Sequence, residues 1–330
     1  MKKILEVKDL ATHFFTDKGV VKAVDGISFD LYEGQTLGVV GESGCGKSIT
    51  AMSILRLIEE PGKIVHGSIK YNDFDITKAP LKDMMQIRGN EISMIFQEPM
   101  TSLNPVFRIG DQIVESLELH RKLNKKEGRQ KAIEMLDIVG IPRAERVVDD
   151  YPHQLSGGMR QRVMIAMALA CDPKILIADE PTTALDVTIQ AQILSLMNDL
   201  KDDTGTSIML ITHDLGVVAQ MADHVLVMYS GKVVESASVI ELYQNPKHPY
   251  TEGLLSSIPD LTKERKRLNT IEGIVPNPMD LPKGCYFAPR CKYVMDKCWE
   301  EEPGIYFIDK ADKGSTHYAK CFLYENEESK

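Results

Sequence analysis

Residues 41–48 read Gly-Glu-Ser-Gly-Cys-Gly-Lys-Ser, which is a complete G-x-x-x-x-G-K-[ST] phosphate loop. Gly41 and Gly46 allow the tight turns that let successive backbone N–H groups point at phosphate oxygens. Lys47 can reach the β- and γ-phosphates of a nucleotide, and the hydroxyl of Ser48 can ligate Mg²⁺. The loop therefore predicts a nucleoside triphosphate and Mg²⁺ as ligands.

The sequence on both sides of this loop supports the same interpretation. Residues 36–40 predict a short buried strand before the loop, and apolar residues recur at roughly helical spacing after it. A helix that begins directly after the loop places the positive end of its dipole at the phosphates. The residues expected to surround the nucleotide in this stretch are Gly41, Ser43, Gly44, Cys45, Gly46, Lys47, Ser48 and Ile49.

Composition and charge exclude several classes of protein. The chain has 330 residues, of which 43% are hydrophobic and 26% charged, as is typical of globular proteins. Its formal net charge of −9 disfavours a broad nucleic-acid-binding surface, which needs an excess of Lys and Arg. No apolar run approaches the roughly 18 residues needed to span a bilayer, and the first residues lack the apolar core of a signal peptide. We therefore expect a cytosolic protein that serves a membrane only through other subunits.

The pattern of apolar residues changes twice along the chain. Residues 1–87 predict strands and turns, whereas residues 88–170 are helical in pattern. The β/α alternation returns at residue 174. A helical insertion inside a β/α core predicts a split domain with one hydrophobic sheet and one helical arm. Individual strands are predicted at 20–24, 27–31, 174–179, 207–212, 225–229 and 232–235, the last two joined as a hairpin through Ser230 and Gly231.

An apolar stretch at residues 174–178 runs into two carboxylates, Asp179 and Glu180. The end of a strand beside a phosphate loop is where α/β sheets place their chemistry. Asp179 is expected to belong to the Mg²⁺ shell, and Glu180 to polarise the attacking water as a general base. The alternative is an acidic pair on a surface turn, which is common in isolation. The phosphate loop favours the catalytic interpretation.

Residues 155–162 read Leu-Ser-Gly-Gly-Met-Arg-Gln-Arg and form a second strong pattern. Small residues open a helix here and leave its N–H groups accessible, and Ser156 adds a hydroxyl donor. This combination predicts an anion site at a helix N-terminus. The alternative for this stretch alone is a simple helix cap.

Together these stretches resemble the ATPase of ATP-binding cassette (ABC) transporters, and residues 155–162 match that family's signature motif. The resemblance spans residues 1–250 as a nucleotide-binding domain. It implies an α/β fold of the P-loop NTPase class, of ABC type, with an antiparallel β subdomain and an inserted helical subdomain at about residues 88–170. Residues 251–330 are then a C-terminal extension, expected as a small Cys-rich domain with a four-Cys metal site.

The resemblance also implies roles for single residues. Phe14 resembles the aromatic residue that stacks on adenine, where Tyr is commoner, and Gln97 resembles the glutamine that senses Mg²⁺ and the transmembrane partner. Asp186 belongs to a stretch that resembles the loop coupling two ATP sites, and His213 resembles the switch histidine at the γ-phosphate. The residues implied to be catalytic are Lys47, Gln97, Glu180 and His213, and those implied to hold Mg²⁺ are Ser48, Gln97 and Asp179. The residues implied to reach the ATP of a second subunit are Ser156, Gly157, Gly158 and Gln161.

A mechanism follows from the same resemblance. Two such domains pack head to tail, and ATP lies between the phosphate loop of one and the signature serine of the other. ATP favours the closed pair because only that state provides both sets of contacts. Hydrolysis removes the bridging γ-phosphate and releases the pair.

The C-terminal part of the chain narrows the subfamily. Residues 245–251 and 281–291 closely resemble the tails of oligopeptide and dipeptide importer ATPases, and residues 183–192 and 212–218 resemble the first of the two paralogous ATPases in those systems. The resemblance implies a second, paralogous ATPase subunit, two transmembrane permeases and an extracytoplasmic peptide-binding protein. It places the chain at the cytoplasmic face of the cell membrane. Nickel and other small solutes are alternatives to peptides, because importers of this subfamily carry them too.

Four cysteines cluster near the C-terminus with the spacing C-x5-C, C-x6-C and C-x22-C. Four thiolates can bind a [4Fe–4S] cluster or Zn²⁺, and zinc sites show tighter pairs than these. The resemblance implies a [4Fe–4S] cluster, with zinc as an alternative and no metal as a third possibility. The four residues are Cys285, Cys291, Cys298 and Cys321.

Two other classes of function compete with the importer. One is a soluble cassette ATPase acting on nucleic acid or ribosomes, which the single cassette and the acidic charge disfavour. The other is a non-catalytic regulatory cassette, which the presence of Glu180 and His213 disfavours.

Overall fold

The computed structural model describes residues 2–97, 102–183, 185–258, 270–308 and 317–325. The chain divides into two compact units, each built from separated stretches of sequence. The first unit comprises Met1–Lys3, Leu31–Thr36 and Lys78–Ile211, and the second comprises Ile4–Asp30, Leu37–Thr77 and Thr212–Lys330.

The described strands are β1 (Lys3–Thr16), β2 (Gly19–Tyr32), β3 (Thr36–Val40), β4 (Gly62–Tyr71), β5 (Phe74–Asp75), β6 (Ile92–Ile95), β7 (Ile175–Asp179), β8 (Ser207–Thr212), β9 (His224–Tyr229), β10 (Lys232–Ser238), β11 (Tyr306–Phe307) and β12 (Tyr318–Ala319). The described α-helices are α1 (Lys47–Ile54), α2 (Leu81–Ile87), α3 (Ile109–Arg121), α4 (Lys125–Ile138), α5 (Ala144–Val147), α6 (Gly157–Leu169), α7 (Val187–Thr204), α8 (Leu215–Met221), α9 (Val239–Gln244), α10 (Pro249–Ser256) and α11 (Asp296–Glu300). No helix in these described stretches is both long and apolar enough to cross a bilayer.

The first unit combines parallel strands with most of the helices. Strand β7 pairs in parallel with β6 on one side and with β8 on the other. Every residue of β7 and β8 is buried, as expected for parallel strands covered on both faces. The strands predicted at 174–179 and 207–212 are confirmed, the first beginning one residue later than predicted.

The inserted helices of the first unit follow the predicted apolar periodicity. Helix α4 begins with a capping box in which the Asn124 side chain accepts from backbone N–H groups and the Glu127 side chain accepts from the N–H of Asn124. Ala132, Met135 and Leu136 on one face of this helix are buried. The predicted helical stripe is therefore confirmed for α4.

The second unit holds an antiparallel sheet in the order β2-β1-β4-β5. The sequence predicted two strands at 20–24 and 27–31, but the structure has one strand, β2, through both. Gly26 lies between them with φ of 75°. Because glycine adopts a positive φ without steric cost, the strand continues through the irregular position.

The second unit also contains the strand that leads into the phosphate loop. Strand β3 pairs in parallel with β9, β9 pairs antiparallel with β10, and the short strands β12 and β11 continue outward from β10. The predicted hairpin between β9 and β10 is confirmed. Its two central residues, Ser230 and Gly231, have φ of 44° and 85°, as a two-residue type I′ turn requires.

The C-terminal residues belong to the second unit, together with the phosphate loop. Phe287 packs against Tyr229 and Tyr250 with ring centroids 5.2 and 5.4 Å apart. His317, next to β12, places Nε2 2.8 Å from Oε1 of Glu235 on β10, and both side chains are buried. The prediction of a separate small Cys-rich domain is not confirmed, because these contacts join the C-terminal residues to the hydrophobic core around β9 and β10.

Candidate active site

The phosphate loop connects β3 to α1, as predicted. Gly41 has φ of 155°, and a Cβ atom there would lie 2.2 Å from the carbonyl oxygen of Met228. Gly46 is the N-cap of α1 with φ of 104°, and a Cβ there would lie 2.3 Å from the carbonyl oxygen of Ala23. Both contacts are too short for any side chain, so neighbouring backbone requires glycine at these two positions.

The Lys47 side chain is buried against the phosphate loop itself. Its Nζ donates to the carbonyl oxygens of Gly41, at 2.8 Å, and Glu42, at 3.1 Å. Cys45 Sγ lies 3.8 Å from the same ammonium, and burial raises the pKa of this thiol. Cys45 is therefore a protonated packing residue rather than a reactive thiolate.

Phe14 and Phe15 lie next to each other on β1 with different surroundings. Phe14 pairs with Gly62 of β4 and is half-buried, and a Cβ on Gly62 would lie 2.6 Å from its Cε1. Phe15 is 47% exposed. Gly62 thus leaves room for the ring of Phe14, the residue predicted to contact adenine.

Asp179 is the last residue of strand β7 and Glu180 follows it directly, so the acidic pair lies at the strand end that the sequence predicted. Asp179 is buried, and Glu180 adopts φ of 48° directly after it. Glu180 Oε2 accepts hydrogen bonds from Gln97 Nε2 at 3.1 Å and from Thr183 Oγ1 at 2.9 Å. A non-glycine residue in the left-handed region is strained, and such strain persists where surrounding contacts fix the conformation. The Glu180 carboxylate is consequently held in a defined orientation, which a general base requires.

Ser156 is the N-cap of α6, and its Oγ accepts from the backbone N–H of Met159 at 3.3 Å. A Cβ on Gly157 would meet no atom within 4 Å, whereas one on Gly158 would lie 3.2 Å from Ile189. The helix N-terminus is therefore open beside Gly157. The cap and the anion site are compatible, because the same open end can accept a phosphate.

Gln161 lies inside the first unit. The resemblance had implied that this residue reaches the ATP of a second subunit. Its side chain is buried, and Nε2 donates to the carbonyl oxygen of Pro181 at 2.6 Å. Pro181 follows Glu180 directly in the chain. In this structure Gln161 connects α6 to the turn that follows β7.

The remaining two motif residues precede helices. Asp186 is the N-cap of α7 and accepts from the N–H of Ile189 at 3.0 Å. His213 is exposed and follows β8, and the next residue, Asp214, caps α8. Both motif residues lie in short connections between a strand and a helix, where α/β proteins place functional side chains.

The four C-terminal cysteines line one cavity together with apolar side chains, and none forms a disulfide. Burial raises the pKa of Cys291, and it raises the pKa of Cys285 to about 11 and that of Cys321 to about 12. Within the described residues, no group of three or more His, Cys, Asp or Glu side chains is arranged to hold a metal ion. The structure thus brings the four predicted residues together at one cavity.

Sequence reasoning missed a set of contacts on the phosphate loop. Glu42 bonds to Tyr250 and to Arg290, which lie 208 and 248 positions later in the chain. Both fall in stretches that the sequence linked to a transporter tail, but no local spacing indicated that they reach the loop.

The phosphate loop, the orientated Glu180 after a buried strand and the capped signature helix define a cassette-type ATPase. Comparison with known proteins agrees. The sequence profile of the ABC transporter family matches residues 24–183, and that of the oligopeptide/dipeptide transporter C-terminal region matches residues 234–298.

Curated relatives extend over the whole chain. The oligopeptide transport ATP-binding protein AppD of Bacillus subtilis is 57% identical over 99% of this chain and 98% of its own length. The dipeptide transport ATP-binding protein DppD of Haemophilus influenzae is 46% identical over 98% of this chain and 97% of its own. A solved dimer of the ATP-binding cassette MJ0796, in a post-hydrolysis state with ADP and Pi, is 26% identical, with a TM-score of 0.65 over 71% of this chain and 98% of that one. The chain belongs to the ABC transporter family and is an ATPase.

Proposed function

We propose that the chain is the ATP-hydrolysing subunit that powers import of dipeptides or oligopeptides through partner permeases. The observation that carries this proposal is the similarity to AppD over 99% of the chain, C-terminal region included. The match of residues 234–298 to the C-terminal region of oligopeptide/dipeptide transporters supports it independently of the ATP-binding motifs. An importer of nickel or another small solute is the alternative, and the names of these relatives favour peptides.

Each motif residue then has a chemical role. Lys47 and the loop N–H groups bind the β- and γ-phosphates, and Phe14 contacts the adenine. Glu180 accepts the proton of the attacking water, and Gln97 and Thr183 hold its carboxylate in place for that step. His213 contacts the γ-phosphate. Ser156, Gly157, Gly158 and Gln161 form the signature motif for the ATP of the second subunit. Within it, Gln161 contributes through its buried hydrogen bond to Pro181, which fixes α6 to the turn after β7. Asp186 couples the two sites.

The residues assigned to Mg²⁺ are chemically suited to it. Ser48 offers a hydroxyl, Asp179 a buried carboxylate and Gln97 an amide oxygen, and Mg²⁺ prefers oxygen ligands of these kinds. The bound ion supplies charge neutralisation at the phosphates.

The proposed assembly contains a paralogous second ATPase subunit, two transmembrane permeases and an extracytoplasmic peptide-binding protein. The chain then lies at the cytoplasmic face of the cell membrane as a peripheral subunit. Residues 1–250 provide the nucleotide-binding domain, and residues 251–330 provide the extension specific to peptide transporters.

We further propose a [4Fe–4S] cluster at Cys285, Cys291, Cys298 and Cys321, with zinc as the alternative. Thiolates are the usual ligands of both, and the apolar lining of this cavity suits a cluster shielded from solvent. Because cysteine binds a metal or a cluster as the thiolate, loading the site would release protons from the thiols. The test is the iron, acid-labile sulfide and zinc content of anaerobically purified protein beside Cys291→Ser. About four irons and four sulfides per chain, lost in the variant, support the cluster; zinc alone or no metal contradicts it.

Reconstitution tests the transport function. The chain is combined with its permeases, paralogous ATPase and binding protein in lipid vesicles, and ATP hydrolysis is measured with dipeptides, longer peptides or nickel ions. Stimulation by peptides, absent in the Glu180→Gln variant, supports the proposal. Stimulation by nickel alone, or by none of the three, rejects peptide import.

A further inference from the structure

A bidentate ion pair joins the phosphate loop to the C-terminal region. Arg290 Nη1 lies 2.6 Å from Glu42 Oε2, and Nη2 lies 3.0 Å from Glu42 Oε1. Glu42 is the second residue of the loop. The Arg290 side chain is only 4% exposed, so solvent screens this pair less than a surface pair.

Arg290 is fixed by contacts that do not involve the loop. Its Nε donates to the carbonyl oxygen of Glu272 at 3.2 Å, and Nη2 also donates to that of Ile271 at 3.3 Å. The guanidinium carbon lies 5.9 Å from the ring centroid of Tyr229. A lysine could not make this set of contacts, because it lacks the planar fork of donors. These contacts hold the Arg290 guanidinium in one orientation, and Glu42 forms its ion pair with a group that is already in place.

The backbone of Glu42 is anchored as well. Its N–H donates to Tyr250 Oη at 2.8 Å. Tyr250 is fully buried and packs edge-on against Tyr229, with ring centroids 4.7 Å apart. The carbonyl oxygen of Glu42 accepts from Nζ of Lys47 at 3.1 Å. Glu42 is thus bound to Tyr250 through its N–H and to Arg290 through its side chain. Its carbonyl oxygen contacts Lys47, the lysine expected to bind phosphate.

We propose that Arg290 and Tyr250 are positioning residues for ATP binding. They hold Glu42, and through it they set the shape of the phosphate loop and the place of Lys47. Phosphate-binding N–H groups act best when they are already in position, because ordering them during binding costs free energy. The inference rests on ATP binding by this loop and is independent of the transported solute and of any metal at the cysteines.

ATP binding to the purified chain tests the inference. Titration calorimetry with MgATP is performed in the Glu180→Gln background, which prevents turnover during the measurement. Arg290→Ala, Glu42→Gln and Tyr250→Phe should each weaken ATP binding, the first two by at least about fivefold, within the usual range of coupling between sites. The double variant of Arg290 and Glu42 should bind ATP no more weakly than the weaker single variant, since both remove the same contact.

The matched control is Arg129→Ala, which removes the bidentate pair between Arg129 and Asp149 in the first unit, at 2.8 and 2.7 Å. It should leave ATP affinity unchanged. The inference is overturned if folded Arg290→Ala and Glu42→Gln both bind ATP within about twofold of the parent, well below a usual coupling. If Arg290→Ala does not fold, the ATP affinities of Arg290→Lys and Glu42→Gln test the inference instead, because these variants keep most of the side-chain volume.

Two readouts separate positioning from general stability. A merely structural role lowers the unfolding midpoint and leaves the ATP affinity of the folded fraction intact. A positioning role raises the KM for ATP more than it lowers kcat in the Glu180-containing protein. Failure of the parent chain to bind ATP would reject the proposed function itself, whereas normal binding by both parent and variants rejects only this inference.

Discussion

Gln97 and Glu180 are hydrogen-bonded through their side chains, the amide of the first donating to the carboxylate of the second at 3.1 Å across 83 positions of sequence. This hydrogen bond uses the amide nitrogen of Gln97 and not its carbonyl oxygen. In the proposed mechanism, a single glutamine orients the general base with its amide nitrogen and offers its amide oxygen to Mg²⁺.

Replacement of Glu180 by glutamine should nearly abolish ATP hydrolysis and leave ATP binding intact. Removing a general base costs about 10²–10⁴-fold in rate, so ATP hydrolysis should fall by that factor while ATP affinity is kept. Phosphate release and ATP titration measure the two quantities. Glu134→Gln, at an exposed position on α4, serves as the control. Turnover of Glu180→Gln equal to that of the parent would show that another group is the base.

Ser156 offers a way to separate helix capping from phosphate binding. Ser156→Ala removes the acceptor for the Met159 N–H and should lower the free energy of unfolding by about 1 kcal/mol. Ser156→Asp keeps an N-cap acceptor and should restore that stability, but its carboxylate repels the γ-phosphate. We expect both variants to lose ATPase activity. Urea unfolding and phosphate release check this, and full activity in stable Ser156→Asp would make Ser156 a helix cap alone.

Gly41→Ala should eliminate ATP binding. The added Cβ would lie 2.2 Å from the Met228 carbonyl oxygen, so the loop must move to accommodate it. Gly34→Ala is the matched control, because Gly34 also has a positive φ, 71°, but a Cβ there meets nothing within 4 Å. Both variants carry backbone strain of about 1–2 kcal/mol. Only Gly41→Ala should fail to bind MgATP in calorimetry; equal affinity in both would show that the clash is relieved without moving the loop.

His248 should make the protein sensitive to acid. Burial lowers its pKa to about 4, and Glu235 opposes this shift only in part. Since the unfolded chain binds a proton on this residue near pH 6.5 and the folded one does not, stability falls as the pH drops through this window. His248 alone should cost about 2 kcal/mol between about pH 8 and pH 5.

The variant His248→Asn tests this pH dependence. Asparagine does not titrate, and it keeps a side-chain acceptor for the N–H of Tyr250, which His248 Nδ1 accepts at 3.1 Å. Urea midpoints measured across this pH range should therefore fall less steeply than in the parent. His153→Asn, at an exposed histidine, should leave the slope unchanged. An unchanged slope in His248→Asn would exclude His248 as the source.

Local sequence patterns predicted much of the fold. The predicted bounds of strand β8, residues 207–212, are the observed ones. The two residues Ser230 and Gly231 were enough to predict the turn between β9 and β10. Such features depend on periodicity and turn chemistry within a few positions. The phosphate loop and the Asp179-Glu180 pair were found for the same reason.

Contacts between distant stretches could not be predicted in this way. The buried pair of His317 and Glu235 spans 82 positions, and its partners carry no spacing signal. The side chain of Gln161 is buried because it donates to the carbonyl oxygen of Pro181. That residue comes next to α6 only when the turn after β7 has folded. The continuity of β2 through Gly26 likewise depends on its neighbours in the sheet rather than on its own residues.

The contacts of Glu42 with Tyr250 and Arg290 show that the phosphate loop depends on residues of the C-terminal region. A shortened chain that stops at residue 250 would keep every recognised ATP-binding motif and lose the side chain that holds the second residue of the phosphate loop. The profile of the C-terminal region already begins at residue 234, so a cut at residue 250 would also fall inside that match. Grafting this C-terminal region onto another cassette would likewise require an acidic residue at the position of Glu42.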